Sequence, residues 1–234
     1  MDLPFDEFAL AAATADLDEE PAARDHADAV EFRMDMAGAP LDALDAYDGK
    51  LPVIATNRAE WEGGEAAAEG RLATLRAAAE YAAVAAIDVE LAAVTGEGAP
   101  ADAVDPEDGP AAVRHAHAND AQVIVSTHDF QGTPPRAGLD DLLARAGEHG
   151  DVAKLAVTAT DLDDALRLLG ATRSAVNDGR TVATTAMGTA GSHARAVAPV
   201  YGSRIGYAPV DPDRATAPGQ YDLATLRELV DALR

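Results

Sequence analysis

The segment DVAKLAVTATDL, residues 151–162, places one lysine inside an apolar, strand-like run. Lys154 is one of only two lysines; the other, Lys50, sits in a DGKLP turn where an ammonium stays in water. Burial disfavours the charged form of an amine, and a free amine is what attack on a carbonyl requires. Lys154 is therefore a candidate Schiff-base nucleophile. The alternative is an edge-strand lysine whose stem packs while its head reaches solvent. His128 closes the run VIVSTHDF on the same strand face as Ser126 and Ile124. An imidazole there can give and take protons near neutral pH, or can serve only as a hydrogen-bonded group at a loop start.

Other candidates have plainer competitors too. TNRAEWEGG supplies Arg58, Glu62 and a glycine pair that permits a tight turn, or is simply a polar loop. In VEFRMD, residues Glu31, Arg33 and Asp35 alternate with Val30, Phe32 and Met34, so the charged set points one way and the apolar set the other. MGTAGSHAR is glycine-rich ahead of a helix but has neither a P-loop pattern nor GxGxxG, which leaves the modest reading of an anion held by Arg195. His115 and His117 lie in a helical stretch where positions i and i+2 do not share a face, so they read as solvated surface, not a metal pair. Without cysteine there is no thiolate metal site, disulfide or thiol nucleophile. One lysine, one histidine, several arginines and carboxylates suit carbonyl chemistry on a small hydroxylated acid, with no metal and no cofactor.

These residues need elements to position them. Apolar runs and breakers give eight strand–helix units. The strands are expected at 8–15, 27–35, 50–58, 84–94, 121–130, 151–159, 180–188 and 204–210. Helices follow at 19–26, 41–49, 69–82, 111–120, 138–150, 161–178, 192–202 and 221–234. Eight such units in 234 residues predict one domain, residues 1–234, folded as a (β/α)8 TIM barrel; a doubly wound open sheet is the runner-up. In a barrel the chemistry gathers at the C-terminal strand ends. Those ends carry Arg33 and Asp35, Arg58 with Glu62, Glu90, Ser126 and His128, Lys154, and the loops around Arg195 and Gln220.

The formal net charge is −23, from 41 acidic and 18 basic residues spread along the chain, which excludes nucleic acid as a partner. Acidic, alanine-rich, lysine-poor composition fits a salt-rich cytoplasm, where screening removes self-repulsion. Hydrophobic residues make up 48% of the chain in regular, punctuated segments, which argues against an acidic disordered protein. No basic n-region and no apolar run approaching a membrane span is visible, so a cytoplasmic location is expected.

VEFRMD, TNRAEWEGG, IDVEL, VIVSTHDFQGTP, DVAKLAV, AMGTAGSHAR, GSRIGYAPV and TAPGQYDLATLREL, in that order, resemble the successive blocks of the type I 3-dehydroquinate dehydratases, barrel enzymes of the shikimate pathway. The resemblance runs from about residue 27 to the C-terminus. It implies that Lys154 forms an imine with the C3 carbonyl of 3-dehydroquinate. His128 would move the C2 proton and assist loss of the C1 hydroxyl, and Glu62 would orient that histidine. Arg195 would bind the substrate carboxylate, with Glu31, Arg33 and Arg58 around the ring hydroxyls and Thr216 and Gln220 on a closing lid. Dimers are common in the family, which leaves monomer and homodimer open.

Departures from the family pattern are Thr127 before the histidine, Ala194 before Arg195, threonine for the usual serine at 216, and an acidic insertion at 95–110 expected as a surface loop. The N-terminus is too short for the extra hairpin that closes the barrel bottom in some members. A lysine-dependent aldolase would use the same imine but normally binds a substrate phosphate after the last strands. A non-catalytic acidic binding protein would not need an isolated strand lysine.

Overall fold

In the computed structural model, which describes residues 3–100, 105–211 and 219–234, eight parallel strands alternate with helices. The strands are β1 (Ala9–Thr14), β2 (Ala29–Arg33), β3 (Val53–Thr56), β4 (Val84–Glu90), β5 (Gln122–Asp129), β6 (Val152–Thr158), β7 (Val182–Met187) and β8 (Ile205–Pro209). Each pairs with its successor up to β7, and β1 also pairs with β8. Between β7 and β8 the described residues show one isolated bridge, Val182–Ser203, reinforced by the Thr184 amide donating to Ser203 Oγ at 3.0 Å. The barrel is nearly closed, with a seam at that edge.

The helices are α1 (Glu20–Ala23), α2 (Pro40–Ala46), α3 (Arg71–Ala78), α4 (Leu91–Thr95), α5 (Asp108–Ala118), α6 (Arg136–Gly147), α7 (Leu162–Asn177), α8 (Ser192–Val197) and α9 (Leu223–Leu233). Local chemistry marks their starts. Asp161 caps α7 by accepting from the Asp164 amide at 2.9 Å, and Asp222 does the same for α9 through the Thr225 amide at 2.9 Å. Each such cap contributes about 1 kcal/mol.

Strand alternation sorts the side chains into two layers. Val30 and Phe32 on β2, Ile87 and Val89 on β4, Val123 and Val125 on β5, and Leu155 and Val157 on β6 pack outward against Leu72, Leu75, Leu139, Leu143 and Leu168 of the helices. Inward, Ala9, Ala11, Ala29, Ile54, Ala86, Ile124 and Ala183 form an apolar floor. The small alanines of β1 leave room there for Leu3 and Phe5, and Gln122 Nε2 donates to the Leu3 carbonyl at 2.8 Å. Leu3 and Phe5 thus fill the barrel bottom. Above this floor the same inward positions become charged.

Several boundaries differ from expectation. The run 84–94 is strand only to Glu90, and Leu91–Val94, all buried, belong to α4. A fully apolar run carries no period to separate buried strand from buried helix. The acidic insertion stops being a loop at Asp108, where α5 begins. Gly109 lies so close to α4 that a Cβ there would come within 2.1 Å of the Ala93 carbonyl oxygen; residues 101–104 lie outside the described set. The alternation in β2 ends at Arg33. Asp35 sits in the 3-10 turn Met34–Met36 and grips Arg33 through Nε at 2.9 Å and Nη2 at 2.6 Å, so it does not continue the lumen face.

Candidate active site

Lys154 lies mid-strand in β6, between β5 and β7, so it is no edge lysine. Its Nζ is 2.7 Å from Asp88 Oδ2, 3.6 Å from Glu31 Oε1 and 4.3 Å from the centre of the Tyr207 ring. The residue is 7% exposed, and that small opening faces a cavity at the C-terminal end of the barrel. Glu31 also accepts from Thr56 Oγ1 at 3.2 Å.

Asp88 organises the charges beneath the cavity. Its Oδ1 accepts from Arg58 Nη2 at 2.6 Å and from Ser126 Oγ at 2.6 Å, and Ser126 Oγ in turn accepts from Arg58 Nη1 at 2.7 Å. Burial alone would raise the Asp88 carboxyl, but Arg58 and then Lys154 hold it well below the usual carboxylate range. Arg58 continues outward to Glu90 Oε1 at 3.2 Å, and Glu90 Oε2 pairs with Arg71 Nη1 at 2.8 Å. Burial opposes the Arg58 charge, yet Asp88, Glu90 and Glu62 together push its proton affinity above the ordinary. The cations and anions alternate, which is how so many charges persist out of water.

His128 sits near the end of β5 with Nδ1 2.9 Å from Glu62 Oε2. Glu62 is delivered by the 3-10 turn Glu60–Glu62, which Gly63 ends in a left-handed conformation (φ 79°). A Cβ at Gly64 would come within 2.1 Å of the Arg58 carbonyl oxygen, so the glycine pair sets the close return of this loop. Burial, with the Arg58 and Lys154 cations, pulls the imidazole well below its ordinary value. Burial pushes the Glu62 carboxyl up to about 8, Arg58 opposing and Glu90 and Asp88 assisting. The pair therefore favours a neutral imidazole and retains a proton on the carboxyl into neutral pH. Phe130 stacks on His128, ring centroids 6.3 Å apart at 14°.

Arg195, on α8, is the contrasting cation. It is buried, its Nε and Nη2 have no hydrogen-bond partner among the described residues, and burial lowers it to about 10. A desolvated guanidinium with two nitrogens unpaired among the described residues is a prepared anion site. Gln220 lines the same cavity. Its loop is held close by Gly219 (φ 77°), where a Cβ would lie 2.6 Å from the Gly188 carbonyl oxygen. Thr216 lies outside the described residues.

The cavity thus brings together Lys154, His128, Glu62, Glu31, Arg33, Arg58, Arg195 and Gln220. Arg58 reaches its wall with its guanidinium already committed to protein carboxylates. Glu90 sits behind the wall as a partner of Arg58 and Arg71, and accepts from the Ala59 amide at 3.1 Å. His115 and His117 are at the surface, against Glu80 at 3.0 Å and Asp151 at 2.9 Å. Sequence reasoning passed over Asp88 and Tyr207. Asp88 was findable: it shares the inward phase of β4 with Ala86 and Glu90, an acid in an apolar run by the same criterion that singles out Lys154. Tyr207 gave no signal, because a strand aromatic reads as core. Among the described residues no group of three His, Asp or Glu side chains is arranged to hold a metal ion, and no helix is long and apolar enough to cross a membrane.

Known proteins resemble this chain in sequence and fold. The family described as type I 3-dehydroquinase matches residues 10–234. The 3-dehydroquinate dehydratase of Haloarcula marismortui is 56% identical over 233 residues, covering 99% of each chain. That of Halobacterium salinarum is 49% identical, covering 99% of this chain and 100% of its own. Among solved structures, 3-dehydroquinate dehydratase from Geobacillus kaustophilus superposes with a TM-score of 0.81 at 26% identity, covering 97% of this chain and 91% of its own. Barrel, charged cavity and full-length likeness agree, and the chain belongs to the type I 3-dehydroquinase family, the 3-dehydroquinate dehydratases of the shikimate pathway.

Proposed function

We propose that this chain dehydrates 3-dehydroquinate to 3-dehydroshikimate through an imine on Lys154. The Lys154 ammonium loses a proton, the amine adds to the C3 carbonyl, and the carbonyl oxygen leaves as water. Two of the three ammonium protons depart with that oxygen and one stays on nitrogen, so the imine is protonated without outside acid. It draws electrons from C2 and acidifies the neighbouring C–H. His128 takes the C2 proton and returns one to the departing C1 hydroxyl, and Glu62 orients its ring through Nδ1. Arg195 receives the substrate carboxylate, with Gln220 beside it on the cavity wall. Glu31, Arg33 and Arg58 form the wall facing the ring hydroxyls. The acidic composition suits work in a salt-rich cytoplasm.

One observation carries this reading: Lys154 Nζ, held between two carboxylates, opens into the same cavity as the His128–Glu62 pair and Arg195, whose Nε and Nη2 have no partner among the described residues. A nucleophile, a proton carrier and an anion site are what this elimination needs. The test is to add 3-dehydroquinate and follow the conjugated enone of the product, then repeat with borohydride and map the added mass. Enone formation with no ligand-sized mass on the DVAKLAV peptide would keep the reaction and discard the imine.

A further inference from the structure

The ring of Tyr207 holds a position the reaction scheme above leaves unused. It projects from β8 into the lumen, and its centre is 4.3 Å from Lys154 Nζ. Between the two strands stands β7, whose register partner for Lys154 is Ala183, a side chain small enough to let the ring reach across. The Tyr207 hydroxyl is buried and has no hydrogen-bond partner among the described residues. A buried tyrosine is normally anchored by its hydroxyl; here the contact that is made is on the ring face.

We propose that the π face of Tyr207 is a third component of the Lys154 cation site, beside Asp88 and Glu31, and that it stabilises both the free ammonium and the protonated imine that replaces it. This rests on the imine reading. The positive charge sits on the same nitrogen before and after the carbonyl oxygen leaves as water, so a face that attracts one attracts the other. Asp88 and Glu31 are carboxylates that also serve Arg58, Ser126 and Thr56. The ring offers negative charge density without adding a formal charge to a crowded set. It remains a neutral phenol, because burial, with Glu31 and Asp88, raises its hydroxyl well above the ordinary tyrosine value.

Among the described residues, the groups that bear on Lys154 are Glu31 from β2, Asp88 from β4, His128 from β5 and Tyr207 from β8, with Arg58 acting through Asp88. Only Tyr207 can be altered in its attraction for a cation without changing the formal charge count. With two lysines in the chain, Lys50 exposed and Lys154 buried, the titration of one can be read against the other in the same sample.

The test is competitive acylation of the free protein with acetic anhydride across pH at fixed KCl, read as mass on the two lysine peptides. The variants are Tyr207→Leu, Tyr207→Phe, and phenylalanine at 207 with increasing ring fluorination, which keeps the shape while draining the negative face. A desolvated cation–π contact predicts that Tyr207→Leu moves the Lys154 midpoint down by about one pH unit, about tenfold in the amine-to-ammonium ratio. Lys50 should not move. Tyr207→Phe should match wild type, and fluorination should lower the midpoint stepwise even if the leucine variant fails to fold. An unmoved Lys154 midpoint across the fluorinated series overturns the proposal, and a drop in Tyr207→Phe as large as in Tyr207→Leu overturns it by assigning the effect to the hydroxyl. Failure of the imine reading would look different: no borohydride-trapped mass on Lys154 in the wild-type protein, whatever its titration.

Discussion

Asp88 and Lys154 form a buried ion pair with 2.7 Å between Oδ2 and Nζ, and the other oxygen of the same carboxylate binds Arg58 at 2.6 Å. One carboxylate thus bridges Lys154 and Arg58 in the lumen. Asp88→Asn keeps the shape and removes the charge. Breaking a buried pair in this way costs about 3–5 kcal/mol, and the variant should melt well below wild type. A group held below its unfolded value stabilises at pH above the unfolded carboxylate range, and that contribution is lost as pH falls. The melting gap between Asp88→Asn and wild type should therefore narrow in acid; a gap independent of pH would mean that charge is not what Asp88 supplies.

Glu62 has the opposite sign. Its carboxyl is pushed up to about 8 by burial, so its stabilising contribution is complete below the unfolded value and lost as pH rises through about 8. Glu62→Gln, which cannot ionise, should gain thermal stability relative to wild type as pH rises from about 4.5 to about 8. Activity should move the other way. With the carboxyl protonated, its proton can point at His128 Nδ1 and leave no lone pair toward the cavity, so wild-type turnover should rise with pH as the pair loses that proton. Glu62→Gln should lose that limb along with most of the rate, about 10²-fold or more. An unchanged pH–rate profile in the variant would remove Glu62 from the proton chemistry.

Arg195 and Arg58 are both buried and differ in partners, which predicts a clean separation. Arg58→Met leaves Asp88 and Glu90 short of a cation and should lower the melting temperature strongly. Arg195→Met removes a desolvated charge whose Nε and Nη2 have no partner among the described residues, and should melt at or above wild type. For substrate the order reverses: losing a charge-assisted pair at Arg195 costs about 1.5–3 kcal/mol, or about ten- to hundredfold in kcat/KM. Equal losses of stability and of kcat/KM in the two variants would contradict the division of labour.

How far the sequence could be read depended on whether polarity interrupted an apolar run. Lys154, Glu31 and His128 stood out because each is a charged or titratable group in a strand whose outward neighbours are apolar, and the period of two then places them in the lumen. The end of β4 did not stand out, since Leu91–Val94 is apolar on every side and buried as helix. Asp35 followed the alternation on paper, but a turn at Met34–Met36 redirects it to Arg33. What joins the site is also not in any one segment. The Asp88, Ser126 and Arg58 network spans three strand ends, and only closure of the barrel sets those distances.

The net charge of −23 gives a prediction about conditions. Exposed carboxylates repel one another across a Debye length of about 10 Å at 0.1 M salt, and about 3 Å at 1 M. The lumen network, out of water, is screened far less. Raising KCl from about 0.1 M to about 3 M should therefore raise the melting temperature by relieving surface repulsion, while leaving the acylation midpoint of Lys154 nearly fixed. A melting temperature indifferent to KCl would show that the acidic surface is no adaptation to salt.

The imine and the proton transfer can be separated by two variants. His128→Ala removes the proton carrier and keeps the amine, so turnover should fall by about 10²–10⁴, while borohydride with product still leaves a ligand-sized mass on Lys154, more slowly because imine formation also moves protons. Lys154→Ala should lose turnover and trapping together, and also relieve Asp88 and Glu31 of their shared cation, so its melting temperature should drop unless the pH is lowered. Product should still bind it through Arg195, which is carried by α8 and not by the strands that hold the lysine network. Trapping on Lys50, or turnover in Lys154→Ala at the wild-type rate, would overturn the mechanism even with 3-dehydroquinate as the substrate.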